Sequence, residues 1–192
     1  RTTRPADFND KTPDRNLVRR CIDVARKAPN HHRTEPAYFY LLNHSQISDL
    51  AELNAMRVAG TSPSPEKQSK AARKQEEWAN APGLIVVTCH SPSDSELARA
   101  KPAVMEEDYA AVCCMIQNLL LLFHNEGIST KWSTAPIWEL SGFSEIVGLK
   151  HGLAADERVA ALIFYGYTNV APQERRFRAM DEILVEQSAI ER

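Results

Sequence analysis

The chain has 192 residues, of which 43% are hydrophobic and 25% are charged, and this composition is typical of an ordinary globular domain. Its formal net charge of −2 excludes a general electrostatic attraction to nucleic acid or to an anionic membrane surface. The longest apolar stretch, Tyr109 to Phe123, contains Gln117 and Asn118 and is too short to span a membrane. We therefore predict a single domain over residues 1–192 that has neither nucleic acid nor a membrane as a partner.

The four cysteines, Cys21, Cys89, Cys113 and Cys114, form no C-x-x-C pair. The sequence therefore lacks the spacing that is typical of a zinc knuckle or of a thioredoxin-type redox pair. Cys113 and Cys114 lie inside the apolar stretch, where we expect small core residues rather than reactive thiols. This cysteine usage is typical of a reducing compartment, and we expect a cytoplasmic protein.

Capping residues and breakers divide the first half of the chain into periodic segments. The first predicted helix begins at Thr12 and Pro13 and ends before Pro29. The spacing of apolar residues predicts two further helices, Gln46 to Val58 and Ser64 to Trp78. Two short apolar segments are predicted strands, Tyr38 to Leu42 and Leu84 to Cys89.

The second half of the chain begins with a predicted polar loop from Ser91 to Pro102. A long central helix follows and ends at Gly127, and its continuous apolar sequence predicts that it is buried on all sides. Two more strands are predicted, Ile128 to Trp132 and Val159 to Tyr165, with a short helix between Pro136 and Val147. The tail from Ala171 to Arg192 is predicted to end as an amphipathic segment.

The order of these elements predicts the fold class. The four short strands do not alternate with helices as regular βαβ units, which favours an α+β fold over a doubly wound sheet. No G-x-G-x-x-G motif follows a strand, so a Rossmann dinucleotide fold is disfavoured. The sequence also lacks the G-x-S-x-G motif of serine hydrolases and the phosphate-binding P-loop.

Three polar clusters are candidates for binding. The first is Arg1, Thr2, Thr3 and Arg4, in which guanidinium groups and hydroxyls together are suited to a phosphate, although a charged terminus has the same composition. The third runs from Lys131 to Pro136, where an aromatic side chain is followed by two hydroxyls in a turn after a predicted strand. A turn of this kind can expose backbone N–H groups to a ligand. The alternative is that Trp132 is an ordinary core residue without a role in binding.

The second cluster runs from Lys27 to Arg33 and contains the adjacent pair His31 and His32. Neighbouring side chains on an extended chain point apart, so both histidines seldom bind one ion. No third ligand stands at a diagnostic spacing, and we therefore predict no metal site.

Taken in order, these segments resemble the nitroreductase family over nearly the whole chain, in its compact, YdjA-like bacterial branch. The opening Arg1 to Arg4 resembles the family's R-R-S-x-R phosphate motif, and Ala25 to Tyr38 resembles its A-P-x-H-x-x-x-Q-P-W stretch. The stretch from Ile116 to Leu120 is similar to the family's central helix, and Gly127 to Ser133 to the segment after it. The last strand with the basic residues 175–178 completes the resemblance.

The resemblance implies an α+β, nitroreductase-like fold with a mainly antiparallel central sheet surrounded by helices, in an interlocked homodimer. It also implies FMN held noncovalently at the subunit interface and NAD(P)H as the electron donor. The implied reaction is ping-pong transfer of hydride through flavin N5 to an electron-poor acceptor, such as a nitroaromatic or a quinone. No side chain need act as the acid, so no catalytic residue is predicted.

The resemblance also implies roles for individual residues. The FMN phosphate is expected to meet Arg1, Thr2, Thr3 and Arg4, with the clamp completed by Arg176 or Arg178. Lys27 is expected near the N1–C2 carbonyl edge of the flavin, where a positive charge favours the reduced anion, and His31 is an expected flavin contact. The flavin ring is expected to be lined by Trp132, Ser133 and Thr134.

Two departures from the family pattern affect the predicted substrate. Glu35 stands where the pattern has Gln, and Ala37 stands where it has Trp. The alternatives are a reductive dehalogenase or a flavin-consuming enzyme of the same fold, or a non-catalytic flavin-binding dimer.

Overall fold

A computed structural model describes residues 2–171 and 176–186. A four-stranded, fully antiparallel sheet in the order β1-β2-β4-β3 forms its centre. The strands are β1 (Ala37–Leu41), β2 (Gly83–His90), β3 (Ser129–Ser133) and β4 (Glu157–Gly166). The helices are α1 (Arg15–Ala25), α2 (His44–Ala59), α3 (Pro65–Ala79), α4 (Glu96–Ala100), α5 (Val104–Asn125) and α6 (Phe143–Val147). All four predicted strands are present, and the α+β prediction is confirmed.

Helices cover both faces of the sheet, and side chains along β2 and β4 alternate between the two faces. Ile85, Val87 and Ile163 face α1 and α5 and are fully buried. Leu84 and Phe164 face the opposite way, toward α2 and α3, and are also fully buried. The two central strands are therefore nearly continuous hydrophobic runs, which explains why they gave the clearest strand signals in the sequence.

Side-chain caps set the starts of the first three helices. Ser64 caps α3 by accepting a hydrogen bond from the Lys67 N–H at 3.3 Å, so the predicted start of that helix is confirmed. Asn43 and Gln46 form a reciprocal capping box at α2, which starts before the predicted Gln46. The predicted start of α1 at Thr12 is wrong, because Asp14 is the cap, and its carboxylate accepts from the Leu17 N–H at 3.0 Å.

The central helix α5 is buried on one side only, so the prediction of complete burial is wrong. Its residues Val112, Ile116 and Phe123 pack under the sheet with no exposed surface. The opposite side forms an exposed stripe at helical spacing, made of Ala110, Cys114, Gln117 and Leu121. Leu121 is 58% exposed, and Cys114 is on the surface rather than in the core.

Three other segments differ from their predictions. The predicted polar loop after β2 contains the short helix α4, which Ser95 caps through the Ala98 N–H at 3.1 Å. The segment from Pro136 contains a 3-10 turn at Ile137–Glu139 in addition to α6. In the tail, residues 176–186 contain only a 3-10 turn, and residues 187–192 lie outside the described part. No helix in the described residues is both long and apolar enough to cross a membrane.

A buried carboxylate fixes the end of the sheet at which β4 begins. Glu157 is fully buried, and its oxygens accept hydrogen bonds from the Tyr40 hydroxyl, from Thr88 Oγ1 at 2.8 Å and from the backbone N–H of His151 at 2.8 Å. The Gly152 N–H donates a further bond at 3.0 Å. Burial raises the pKa of the Glu157 carboxyl, but these hydrogen bonds outweigh burial, and the pKa lies below its ordinary value of 4.5.

The exchange Glu157→Gln is expected to destabilise the fold by about 1–3 kcal/mol at pH 7. The reason is that the side-chain N–H₂ group of Gln would face N–H and O–H donors that now bond to the carboxylate, and a donor cannot accept these bonds. Since the folded pKa is lowered, the ionised carboxyl adds stability above pH 4.5, and this stability is lost as the pH falls through the folded pKa. Urea unfolding of both proteins at several pH values between 7 and 3 should show the difference narrowing toward acid. The exposed Glu145→Gln is the control, and a pH-independent difference would contradict the role of ionisation.

Candidate active site

A large cavity lies where β1 ends and β2 begins, and its volume is about 1260 Å³. We call it the large cavity. Its walls come from the N-terminal segment, the starts of α1 and α2, and the last turns of α3. They include Arg4, Phe8, Asn43, Lys74, Glu77 and Tyr165. Cofactor pockets commonly have volumes of roughly 300–1,000 Å³, so this cavity is large enough for a cofactor together with a second ligand.

The first polar cluster lies at one wall of the large cavity. The buried Thr3 donates its backbone N–H to the carbonyl of Thr130 at 2.9 Å, which attaches the N-terminal segment to β3. Arg4 follows and its side chain is 74% exposed, with its Nε 3.0 Å from Asp7 Oδ2. The hydrogen bond from Arg4 lowers the pKa of the Asp7 carboxyl. Thr2 is exposed, and Arg1 lies outside the described residues.

A compact charge cluster stands beside Arg4. Glu77 has only 8% of its side chain exposed, its Oε2 is bonded to the Lys74 ammonium, and its Oε1 lies 3.9 Å from Lys131 Nζ. Burial lowers the pKa of the Lys131 ammonium, Lys74 and Arg4 lower it further by repulsion, and Glu77 partly compensates. Together with Asp7, which pairs with Arg4, the group has three cations and two carboxylates beside the cavity, a net charge of +1 that is suited to an anion.

The Oε1 atom of Glu77 is buried and has no hydrogen-bond partner among the described residues. Buried polar atoms in proteins are usually hydrogen-bonded. A carboxylate oxygen without a hydrogen-bond donor, in a side chain that lines a large cavity, is an acceptor that a bound ligand would satisfy.

The sequence interpretation missed this charge cluster. No motif in the sequence groups Lys74 and Glu77 with Lys131. The single local signal was the i, i+3 spacing of Lys74 and Glu77. The approach of Lys131 depends on the pairing of β3 with β4, which the sequence does not reveal.

The third polar cluster stands on β3 and divides between the two faces of the sheet. Trp132 pairs with Ile163 and packs on the face of α1 and α5, whereas Lys131 pairs with Phe164 and faces α3. The Trp132 indole Nε1 is buried without a hydrogen-bond partner in the described part of the chain. Ser133 Oγ accepts from the Ala135 N–H at 3.4 Å, and Thr134 is exposed.

The second polar cluster lies on the other side of the molecule, beside a smaller cavity of about 500 Å³. Lys27 lines this small cavity, and its Nζ lies 3.4 Å from Asp23 Oδ2. The side chain of His31 is 71% exposed, and its Nδ1 lies 3.1 Å from Glu107 Oε2. Because β1 and β3 are the outer strands of a four-stranded sheet, roughly 14 Å separates this side from β3. The first and second clusters therefore do not meet within one chain.

The two C-terminal arginines remain apart from both cavities. Arg176 and Arg178 are exposed, and neither is among the residues that line the large or the small cavity. Their predicted contact with a phosphate stays a prediction.

Comparison with known proteins identifies the family. The Nitroreductase family matches residues 1–167. The Bacillus subtilis (strain 168) protein YfhC, whose name assigns it provisionally as an NAD(P)H nitroreductase, is 28% identical over 159 residues, which are 81% of this chain and 74% of YfhC.

Two solved structures are similar in fold. A nitroreductase-like family protein from Bacillus cereus is 25% identical, with a TM-score of 0.74 over 97% of this chain and 91% of that one. The FMN- and NADPH-dependent nitroreductase NfnB from Sphigopyxis sp. strain HMH is 15% identical, with a TM-score of 0.69 over 98% of this chain and 95% of that one.

These findings confirm the predicted fold and the predicted oxidoreductase class, and they support FMN and NAD(P)H as the cofactors. The match spans most of the chain, from the N-terminal segment beside the large cavity to the end of the sheet. The chain belongs to the Nitroreductase family.

Proposed function

We propose that the chain is a cytoplasmic FMN-dependent oxidoreductase that acts as a homodimer with FMN at the subunit interface. It passes hydride from NAD(P)H through flavin N5 to an electron-poor acceptor, such as a nitroaromatic or a quinone, by a ping-pong mechanism. The observation that carries the proposal is the net positive charge cluster in the wall of the large cavity, in a chain of this family. The four cysteines are free thiols, which supports a reducing compartment.

The residues at the large cavity fit FMN in charge and in hydrogen bonding. Arg4 has a largely exposed guanidinium group, which is suited to a phosphate oxygen. Lys74 and Lys131 add positive charge, and the free Oε1 of Glu77 is able to accept from an N–H or a hydroxyl of the flavin. Positive charge near the ring would also favour the reduced, anionic flavin.

When bound, FMN supplies the redox chemistry, and the chain supplies binding, orientation and charge. Arg4 and the neighbouring Thr2 would hold the phosphate end, whereas Ser133 and Thr134 lie at the far end of β3 and would meet the ring. No side chain in this arrangement is required as a proton donor, since water is able to deliver the protons. We therefore assign no catalytic residue.

The separation of the polar clusters supports a homodimer. Lys27 and His31 lie near β1, whereas Arg4 and Lys131 lie near β3, on the opposite edge of the sheet. A second copy of the chain would bring its own Lys27 segment to the β3 edge of the first. A flavin between the two copies would then contact both sets of residues.

Two exposed apolar surfaces support the same assembly. The α5 stripe exposes Leu121 in the middle of the longest helix. The C-terminal segment exposes further apolar side chains, namely Met180, Ile183, Leu184 and Val185. Apolar patches of this kind on a folded chain are typical of contact surfaces, and a tail packed on a second copy would interlock the dimer.

The test of the proposal is an absorption spectrum of the purified protein, recorded after addition of FMN and desalting, and again after addition of NADPH under nitrogen. Retained flavin absorption that bleaches with NADPH is expected. A colourless protein would contradict flavin binding, whereas a bound flavin that NADPH does not bleach would favour the non-catalytic alternative. Turnover of a halogenated phenol without turnover of a nitroaromatic would favour the dehalogenase alternative.

The exchange Arg4→Ala is expected to weaken FMN binding by roughly 1.5–3 kcal/mol, the scale of a hydrogen bond to a charged group. Fluorescence titration of the apoprotein with FMN measures this loss. Arg19→Ala is a matched control, since Arg19 is exposed on α1 and does not line the large cavity. If Arg4→Ala binds FMN as tightly as the unchanged protein does, Arg4 does not contact the phosphate.

The exchange Glu77→Gln is expected to make the flavin potential more positive by roughly 30 mV, equivalent to about 1.4 kcal/mol for a two-electron couple. The reason is that a negative charge is removed beside Lys131 while the positive charges remain. Spectroelectrochemical titration measures the potential. Glu66→Gln is the control, because Glu66 is exposed at the other end of α3 and does not line the large cavity. Equal potentials in both variants would place Glu77 away from the flavin.

The exchange Leu121→Asp is expected to shift the protein from dimer to monomer and to reduce the FMN retained after desalting. A carboxylate would be buried without a partner if the α5 stripe forms the interface. Light scattering after size-exclusion chromatography measures the mass. Leu153→Asp, at another exposed leucine, is the control. If Leu121→Asp remains a dimer with full flavin content, the α5 stripe does not form the interface.

A further inference from the structure

We propose that the stacked rings of His90 and His151 form a pH-sensitive latch that holds the loop of residues 148–156 against the sheet and releases it in mild acid. This loop connects α6 with β4, at the end of the sheet where β2 ends and β4 begins. Neither histidine lines the large or the small cavity, and neither is a proposed flavin contact. The latch therefore belongs to the chain itself, with or without bound flavin.

The latch and the floor of the small cavity lie on opposite faces of the sheet. Ala37 and Phe39 line the small cavity and pack toward α1 and α5. The Tyr38 side chain alternates with them and points the other way, and its ring meets His90 edge-on with centroids 6.3 Å apart. The histidine pair is thus away from the Lys27 segment and from α5, both of which the proposed dimer uses.

The two imidazole rings of the latch lie face to face, with their centroids 3.6 Å apart and an angle of 5° between their planes. His90 is the last residue of β2, whereas His151 belongs to the loop, so the stack joins the loop to the sheet. His151 Nε2 also lies 2.9 Å from the hydroxyl oxygen of Tyr38 on β1. The pair therefore connects the loop to two strands at once.

Few other contacts hold this loop. The backbone N–H groups of residues 150–152 bond to the Tyr40 hydroxyl and the Glu157 carboxylate at distances of 2.8–3.0 Å. Asp156 Oδ2 accepts a hydrogen bond from the Ser93 N–H at 2.8 Å. Every residue of the loop is at least partly exposed. Because a segment without buried apolar side chains opens at low cost, a change in the histidine stack alters its opening measurably.

The charges around the pair admit one proton and oppose a second. The charged and titratable groups that face the two rings come from β1, β4 and the loop, and they are Tyr38, Glu157, Asp156 and Lys150. The two carboxylates attract a proton to the pair, whereas the Lys150 ammonium repels one. Two imidazolium rings at the observed spacing would also repel each other, so the closed loop resists protonation of both histidines.

The pKa of His90 gives the direction of the pH effect. Burial lowers this pKa below its ordinary value of 6.5, and His151 lowers it further, while Glu157 and Asp156 compensate only in part. In the open loop His90 regains its ordinary pKa, so the open form binds more protons than the closed form. The closed loop is therefore most stable above pH 6.5 and loses stability as the pH falls from 6.5 toward the lowered pKa.

The experiment is hydrogen–deuterium exchange of the full chain at pH 7.5, 6.5 and 5.5, with rates corrected for the intrinsic pH dependence of amide exchange. The N–H groups of His151 and Gly152 are bonded to Glu157 only when the loop is closed, so a peptide that covers the loop reports its opening. Its protection is expected to fall between pH 6.5 and 5.5 by up to about tenfold, the limit for opening linked to one proton. A peptide from β2 should keep its protection.

Phenylalanine at either position of the latch keeps a ring for stacking but cannot gain a proton. His90→Phe and His151→Phe are therefore each expected to abolish the pH dependence of the loop peptide. His124→Phe is the matched control, because His124 is an exposed histidine at the end of α5, and it should leave the pH dependence unchanged. Circular dichroism establishes that each variant is folded.

NMR titration of the histidine ring carbons in the unchanged chain tests the latch without any variant. The His90 ring is expected to titrate below pH 6.5, with a curve that depends on the state of His151. Independent titration of both rings at pH 6.5 or above would overturn the proposal. Loop protection that is equal at all three pH values, or a pH dependence that persists in both latch variants, would overturn it as well. A parallel loss of protection in β2 would also count against it, since the whole chain would then be opening.

Discussion

The pairing of β2 with β4 is the interaction on which the rest of the structure depends. These two strands pair along eight positions, from Gly83 opposite Tyr165 to His90 opposite Glu157. They separate two layers of core side chains, one beneath α1 and α5 and the other beneath α2 and α3. Because the outer strands pair only with this central ribbon, its register also determines where β1 and β3 present their side chains.

The polar clusters take their positions from this sheet. Lys131 approaches Glu77 because β3 pairs with β4 and turns that side chain toward α3. The N-terminal segment follows the same strand, since Thr3 bonds to Thr130, and this places Arg4 beside the charge cluster. Sequence positions near 4, 77 and 131 are thus united by the strand order, and not by any local motif.

The sequence predicted those features that local chemistry determines. Ser64 is a cap whatever surrounds it, and the apolar runs of β2 and β4 are strands because both faces are buried. The exposed side of α5 was missed because Cys114 and Leu121 are as apolar as the residues beneath the sheet. Glu77 was missed for a related reason, because its partner Lys131 is brought to it by tertiary structure.

Because α5 is buried on one side only, its inward residues contribute to the stability of the fold and its outward residues are free to form a contact surface. Val112 and Ile116 have no exposed surface and belong to the folding core, whereas Ala110 and Gln117 face outward. Substitutions on the exposed, outward side of α5 leave the buried core packing in place, so they avoid the usual cost of core mutation. In the proposed dimer, association and chain stability would therefore depend on different residues of the same helix, and each property would be free to change in evolution without the other.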